Sequence, residues 1–61
     1  PFKGVSFQTK NAKYKASIRI DKKDKYLGLY DSPVDAAFAY DYVASLHYGE
    51  FAMTNKRMGL L

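Results

Sequence analysis

The chain has 61 residues, enough for one small domain with a modest core and too few for two. Its hydrophobic content of 48% is that of a globular fold rather than a disordered segment, and no apolar run approaches the length of a membrane span. Ten Lys and Arg stand against six Asp and Glu, a net charge of +4, and the absence of cysteine excludes disulfide staples and thiolate metal sites and fits a reducing compartment.

The first predicted element is a strand over Phe2–Gln8, FKGVSFQ, in which Gly4 marks a bulge. Thr9–Ala12 is polar and turn-like. Lys13–Ile20, KYKASIRI, is the clearest strand. Tyr14, Ala16, Ile18 and Ile20 fall on one face and Lys13, Lys15, Ser17 and Arg19 on the other, so one side is core and the other cationic. Asp21–Asp24 reads as a four-residue hairpin loop, and Lys25–Tyr30 as a third strand interrupted by Gly28.

A helix follows with punctuation at both ends. Ser32 caps it, Pro33 suits its first position, Asp35 completes a capping box, and Gly49 stops it after Tyr48. At 100° per residue, Ala36, Ala37, Tyr40, Val43, Ala44 and His47 share one stripe. A stripe so rich in alanine lets the helix axis settle close to a broad, flat partner, which is the apolar face of the sheet. Phe38, Tyr42 and Leu46 form an apolar back, which the tail residues Phe51, Met53, Met58, Leu60 and Leu61 are expected to fold over. The predicted class is therefore α+β, a three-stranded antiparallel sheet packed against one C-terminal helix, with residues 1–55 as the domain and 56–61 as a tail. Beginning at Pro1 without methionine, the chain reads as a piece of a longer protein.

The charges are segregated along this plan. Residues 1–25 hold eight cations and two acids, a net of +6, whereas residues 26–55 hold four acids and no Lys or Arg. A basic first half points to a polyanion as partner. Lys13, Lys15 and Arg19 in register on one strand can meet phosphates, with Arg19 also able to form a bidentate contact to guanine, and Tyr26 can lie against sugar or base edges. No catalytic or metal constellation is legible. The single histidine, His47, reads as a packed, hydrogen-bonded side chain, Asp41 as a surface residue bonding locally, and no cofactor is expected.

FKGVSF, KYKASIRI, YLGLYDSPVDAAFAYDYVA and GEFAMTN together resemble the Apetala-two/ethylene-response-factor DNA-binding domain over nearly the whole chain. The matching elements are Gly4-Val5, Ala16-Ser17-Ile18, Leu27-Gly28-Leu29-Tyr30, Ala36 to Asp41, and Asn55. The resemblance implies the fold inferred above, with the sheet lying in the major groove of double-stranded DNA. It implies that Lys3, Ser6 and Gln8 on the first strand, Lys15, Ser17 and Arg19 on the second, and Tyr26 and Leu29 on the third point at DNA. It also implies that Leu27 and Tyr30 are buried while Leu29 turns outward, where strict alternation would bury both leucines. Plant members commonly carry arginine at the positions of Ser6 and Asp24 and tryptophan at that of Tyr26, so the resemblance carries duplex binding rather than the plant GC-rich preference.

GEFAMTNKRMGLL, with KGVS near the start, is similar to copies of this domain appended to HNH-type homing endonucleases of phages and bacteria. The chain is then expected to be the targeting module of such an enzyme or of a transcription regulator. As an isolated domain it is expected to be a monomer without enzymatic activity, membrane contact or small-molecule substrate. Its expected location is inside the cell: the cytoplasm or nucleoid in a bacterium or phage, the nucleus in a eukaryote. Two other classes compete. A binder of single-stranded nucleic acid or RNA needs two or three aromatics on the basic face, and only Tyr26 is placed there. A protein-interaction module would use the helix back of Phe38, Tyr42 and Leu46.

Overall fold

A computed structural model describes residues 2–61; Pro1, the first residue of the expected domain, lies outside them. Three strands, β1 (Val5–Gln8), β2 (Lys13–Ile20) and β3 (Lys23–Tyr30), form an antiparallel sheet in the order β1-β2-β3. The helix α1 (Pro33–Tyr48) follows, then one 3₁₀ turn over Gly49–Phe51. The expected α+β architecture is the observed one, in two layers only 14 Å thick.

Strand β2 has the predicted bounds because its alternation is unbroken: Ala16 and Ile18 are buried against the helix. The first strand is shorter than predicted. Gly4 takes φ +80 and ends the ladder, and its carbonyl accepts a bond of 2.9 Å from the Ser17 N–H. The close partner of Gly4 is Tyr40: a Cβ built on this glycine would lie 2.1 Å from Cδ2 of that ring. The β2–β3 connection is also tighter than predicted. Asp21 and Lys22 both adopt positive φ, 52 and 65, making a two-residue turn of the kind that matches strand twist. Lys23 and Asp24 consequently belong to β3 and not to a loop.

A register shift between Ala16 and Ser17 leaves Leu27 as the extra residue on β3, because Gly28 opposes Ala16 and Tyr26 opposes Ser17. Leu27 and Tyr30 are half-buried and Leu29 is exposed. The Tyr30 hydroxyl donates to the Leu27 carbonyl at 3.1 Å, which ties the bulge together.

The helix begins at Ser32, whose Oγ accepts from the Val34 N–H at 3.2 Å, with Pro33 in its first turn. Among the described residues Asp35 makes no reciprocal bond to the Ser32 N–H, so the cap is Ser32 alone. Gly49, at φ 60, closes the other end by donating its N–H to the Ser45 carbonyl. Ala36, Ala37, Tyr40 and Ala44 are buried, and Ala36, Tyr40 and Ala44 form a ridge at four-residue steps that leads on to the more exposed Tyr48. Alanines bring the axis close to the sheet, and Tyr40 fills the space between with Ile18, Ala44 and Ala52. The ridge explains why His47 is not packed as predicted. It is exposed, edge-to-face against Tyr48, and the Tyr48 hydroxyl is what reaches the sheet, donating to the Arg19 carbonyl at 3.0 Å.

Burial above all, then the Asp41 carboxylate and Tyr48, hold the Tyr40 phenol above its ordinary pKa of 10.0. A pKa raised by folding means that the folded chain favours the neutral ring. That contribution is whole below about pH 10 and is lost as the pH climbs through the folded-state value. Thermal melts from about pH 8 to about pH 11 are expected to show wild type losing stability more steeply than Tyr40→Phe. Parallel curves for the two proteins would remove the phenol from the account.

The tail takes a different path from the one predicted. Asn55 is buried with no exposed surface. Its Oδ1 accepts from the Lys3 N–H at 2.6 Å, and its Nδ2 donates to the Lys3 carbonyl and to Asp41 Oδ1, both at 3.0 Å. Asp41 also accepts from the backbone N–H groups of Asn55 at 2.7 Å and Lys56 at 3.0 Å. It therefore bonds across 14 and 15 residues rather than locally. Beyond it the chain turns on itself, with the Leu60 N–H donating to the Asn55 carbonyl at 2.8 Å. Drawn to this side of the helix, the tail leaves the back uncovered: Phe38, Tyr42 and Leu46 are 55%, 68% and 69% exposed.

Candidate nucleic-acid interface

The helix covers one side of the sheet, and the side chains pointing away from it make the candidate surface. Cross-strand partners share a face, so the register fixes its membership. Gln8 and Lys13 form one outer row, Ser6, Lys15 and Leu29 the next, then Ser17 and Tyr26, and last Arg19 and Asp24. Lys13, Lys15 and Arg19 therefore point the same way. Lys3 stands just before β1. With Ser17, Arg19 and Asp24 it borders an open hollow of about 470 Å³ beside the stretch of β2 that β1 leaves unpaired.

The surface is less uniformly cationic than the sequence reading implies. Asp24 was expected in a loop; as part of β3 it opposes Arg19, with 3.7 Å between its Oδ1 and the Arg19 Nη1. Lys13 is paired with Asp31, just beyond the end of β3. Both pairs are solvent-exposed, and such pairs are worth about 0–1 kcal/mol, so a phosphate can replace either carboxylate at small cost. Lys15 pairs with no carboxylate among the described residues. Its Nζ lies 6.0 Å from the centroid of the Tyr26 ring, near the outer limit for a cation–π contact.

The sequence carries no turn signal that places Asp24 on this face. Two residues of positive φ replaced the four-residue loop without an Asn-Gly or Asp-Gly pair to announce them. Of the aromatics in the sheet only Tyr26 is on the outer face. Phe7 and Tyr14 pack against each other on the helix side, their rings tilted by 58° with 5.0 Å between centroids, and Tyr30 opposes Tyr14 there.

Among the described residues no helix is long and apolar enough to cross a membrane. No family model and no curated protein matches the chain.

Proposed function

We propose that the chain binds double-stranded DNA in a sequence-selective manner, laying the outer face of its sheet in the major groove. The observation that carries this reading is the alignment of Lys13, Lys15 and Arg19 on a rigid face that the helix leaves open. The dimensions agree. Three strands at a spacing of about 4.8 Å give a backbone about 10 Å wide, and the major groove is about 12 Å wide. From Lys13 to Arg19 the strand spans about 20 Å at 3.3 Å per residue, the length of about six base pairs. Phosphate contacts from the lysines position the sheet, while Arg19, Ser17, Gln8, Ser6, Tyr26 and Leu29 are available to base edges. The resemblance to the Apetala-two/ethylene-response-factor domain supports the same reading, including a role as the targeting module of a larger protein such as an HNH homing endonuclease. A single outer aromatic disfavours base stacking of single strands.

Titration against duplex DNA at several salt concentrations tests this. Lys15→Ala combined with Arg19→Ala is expected to weaken binding by about tenfold or more and to flatten the salt slope by about one unit per lost phosphate contact. Asp24→Asn, which removes the carboxylate from the face, is expected to bind more tightly at low salt, and Asp35→Asn on the helix side to change little. The exposed Phe38, Tyr42 and Leu46 favour a second reading, a protein-interaction surface on the helix back. Sheet variants that leave DNA binding untouched would turn the assignment toward that surface.

A further inference from the structure

The bulge in β3 decides what the outer face presents. In an unbroken ladder the outer positions of β3 would be 24, 26, 28 and 30, and Leu29 would turn toward the helix. With Leu27 as the extra residue the alternation shifts. Gly28 now opposes buried Ala16, and Leu29 opposes Lys15 on the cationic side. Bulges commonly serve to re-aim a side chain in this way. Leu29 sits in the one outer row that spans all three strands, between Lys15 and solvent, and remains 37% exposed with no layer above it. What singles Leu29 out is therefore its place and not its exposure: the bulge sets an apolar side chain in the middle of the face that presents Lys15, Ser17 and Arg19, where a ligand held by those cations would meet it.

The major groove offers an apolar partner for it. Base edges there present hydrogen-bond donors and acceptors, except for the C5 methyl of thymine. Lys15, directly across from Leu29, supplies the cation that brings the groove to that position. Resting on the duplex-binding reading above, we infer that Leu29 reads a thymine methyl, and that the target is a duplex with an A·T pair beneath this leucine rather than an all-G·C site. Leu29 is then a specificity-determining residue, distinct in role from the lysines that hold the backbone.

Deoxyuridine tests this, because it deletes the methyl and leaves every hydrogen-bonding edge of the base unchanged. A site is first selected from a random duplex library with the wild-type chain, and each thymine in it is then replaced singly by deoxyuridine. Affinity is expected to fall about fourfold at one or two positions, as for the loss of one buried methyl group. Leu29→Ala, whose fold is checked by circular dichroism, is expected to bind the thymine and uracil forms equally well. Tight duplex binding that is indifferent to uracil at every position overturns the role of Leu29 and leaves the DNA reading intact. So does a selected site without thymine, or a uracil penalty that persists in Leu29→Ala. A wild-type chain that binds no duplex overturns the DNA reading itself. The wild-type measurements stand whether or not the variant folds.

Discussion

Gly4→Ala is expected to leave most of the chain unfolded at room temperature. Two costs fall on the same atom. At φ +80 any L side chain is strained, and the new methyl would lie 2.1 Å from Tyr40 Cδ2 and 2.6 Å from Cγ. Cγ lies on the axis about which the ring turns, so rotating the ring does not move it out of the way, as it would the tip of a flexible side chain. Tyr40 is only 7% exposed and is seated among Ile18, Ala44 and Ala52. Strain of about 1–2 kcal/mol and overpacking of about 1–3 kcal/mol together approach the whole stability of a domain this size, about 3–5 kcal/mol. Urea titration followed by far-UV circular dichroism reads the loss.

Gly49 supplies the control. It too has positive φ, 60, but nothing lies within 4 Å of a Cβ placed on it, so Gly49→Ala is expected to cost only about 1 kcal/mol. Equal losses for the two glycine variants in the wild-type background would mean that the ring yields freely and that the contact does not fix the start of β1.

What the sequence disclosed and what it hid follow a physical division. Periodicity and punctuation are local, and they located β2 at Lys13–Ile20 and α1 between Ser32 and Gly49. The alanines of α1 were legible in the same way, since small residues on one stripe require close approach to something flat. Contacts between distant residues were not legible. Nothing in FKGVSF says that Gly4 receives the ring of a tyrosine 36 positions away, and nothing in EFAMTN says that the asparagine turns inward. The tail looked apolar enough to cover Phe38, Tyr42 and Leu46, but polar bonds to Asp41 direct it elsewhere. On the candidate interface the cations of β2 were legible from alternation, whereas Asp24 was not, because its face depends on the length of one turn. The outward aim of Leu29 came from the resemblance and not from alternation, which would have buried it. The bulge supplies its physical cause.

Asn55→Ala is expected to destabilise the chain by about 3 kcal/mol, enough to unfold much of it at 37 °C. The side chain is buried with all its polar atoms engaged: one acceptor bond to the Lys3 N–H and two donor bonds, to the Lys3 carbonyl and Asp41 Oδ1. Lys3 precedes β1, Asp41 is in mid-helix and Asn55 leads the final turn, so one amide joins the sheet, the helix and the tail. Alanine strands both Lys3 backbone groups without partners and opens a void where the amide stood. Aspartate has the shape of asparagine but cannot donate, and it would set a second carboxylate against Asp41 and the Lys3 carbonyl, so Asn55→Asp is expected to cost at least as much as alanine at neutral pH. Asp41→Asn can keep its Oδ1 as acceptor for the two Asn55 donors but sets an NH2 against the Lys56 N–H that Oδ2 accepts, and it is expected to fall between wild type and Asn55→Ala. The order is measurable by urea denaturation. Asn55→Ala melting with wild type would show that water satisfies Lys3 as well as the amide does, and the start of β1 would then be held by the Gly4–Tyr40 contact and the Ser17–Gly4 bond.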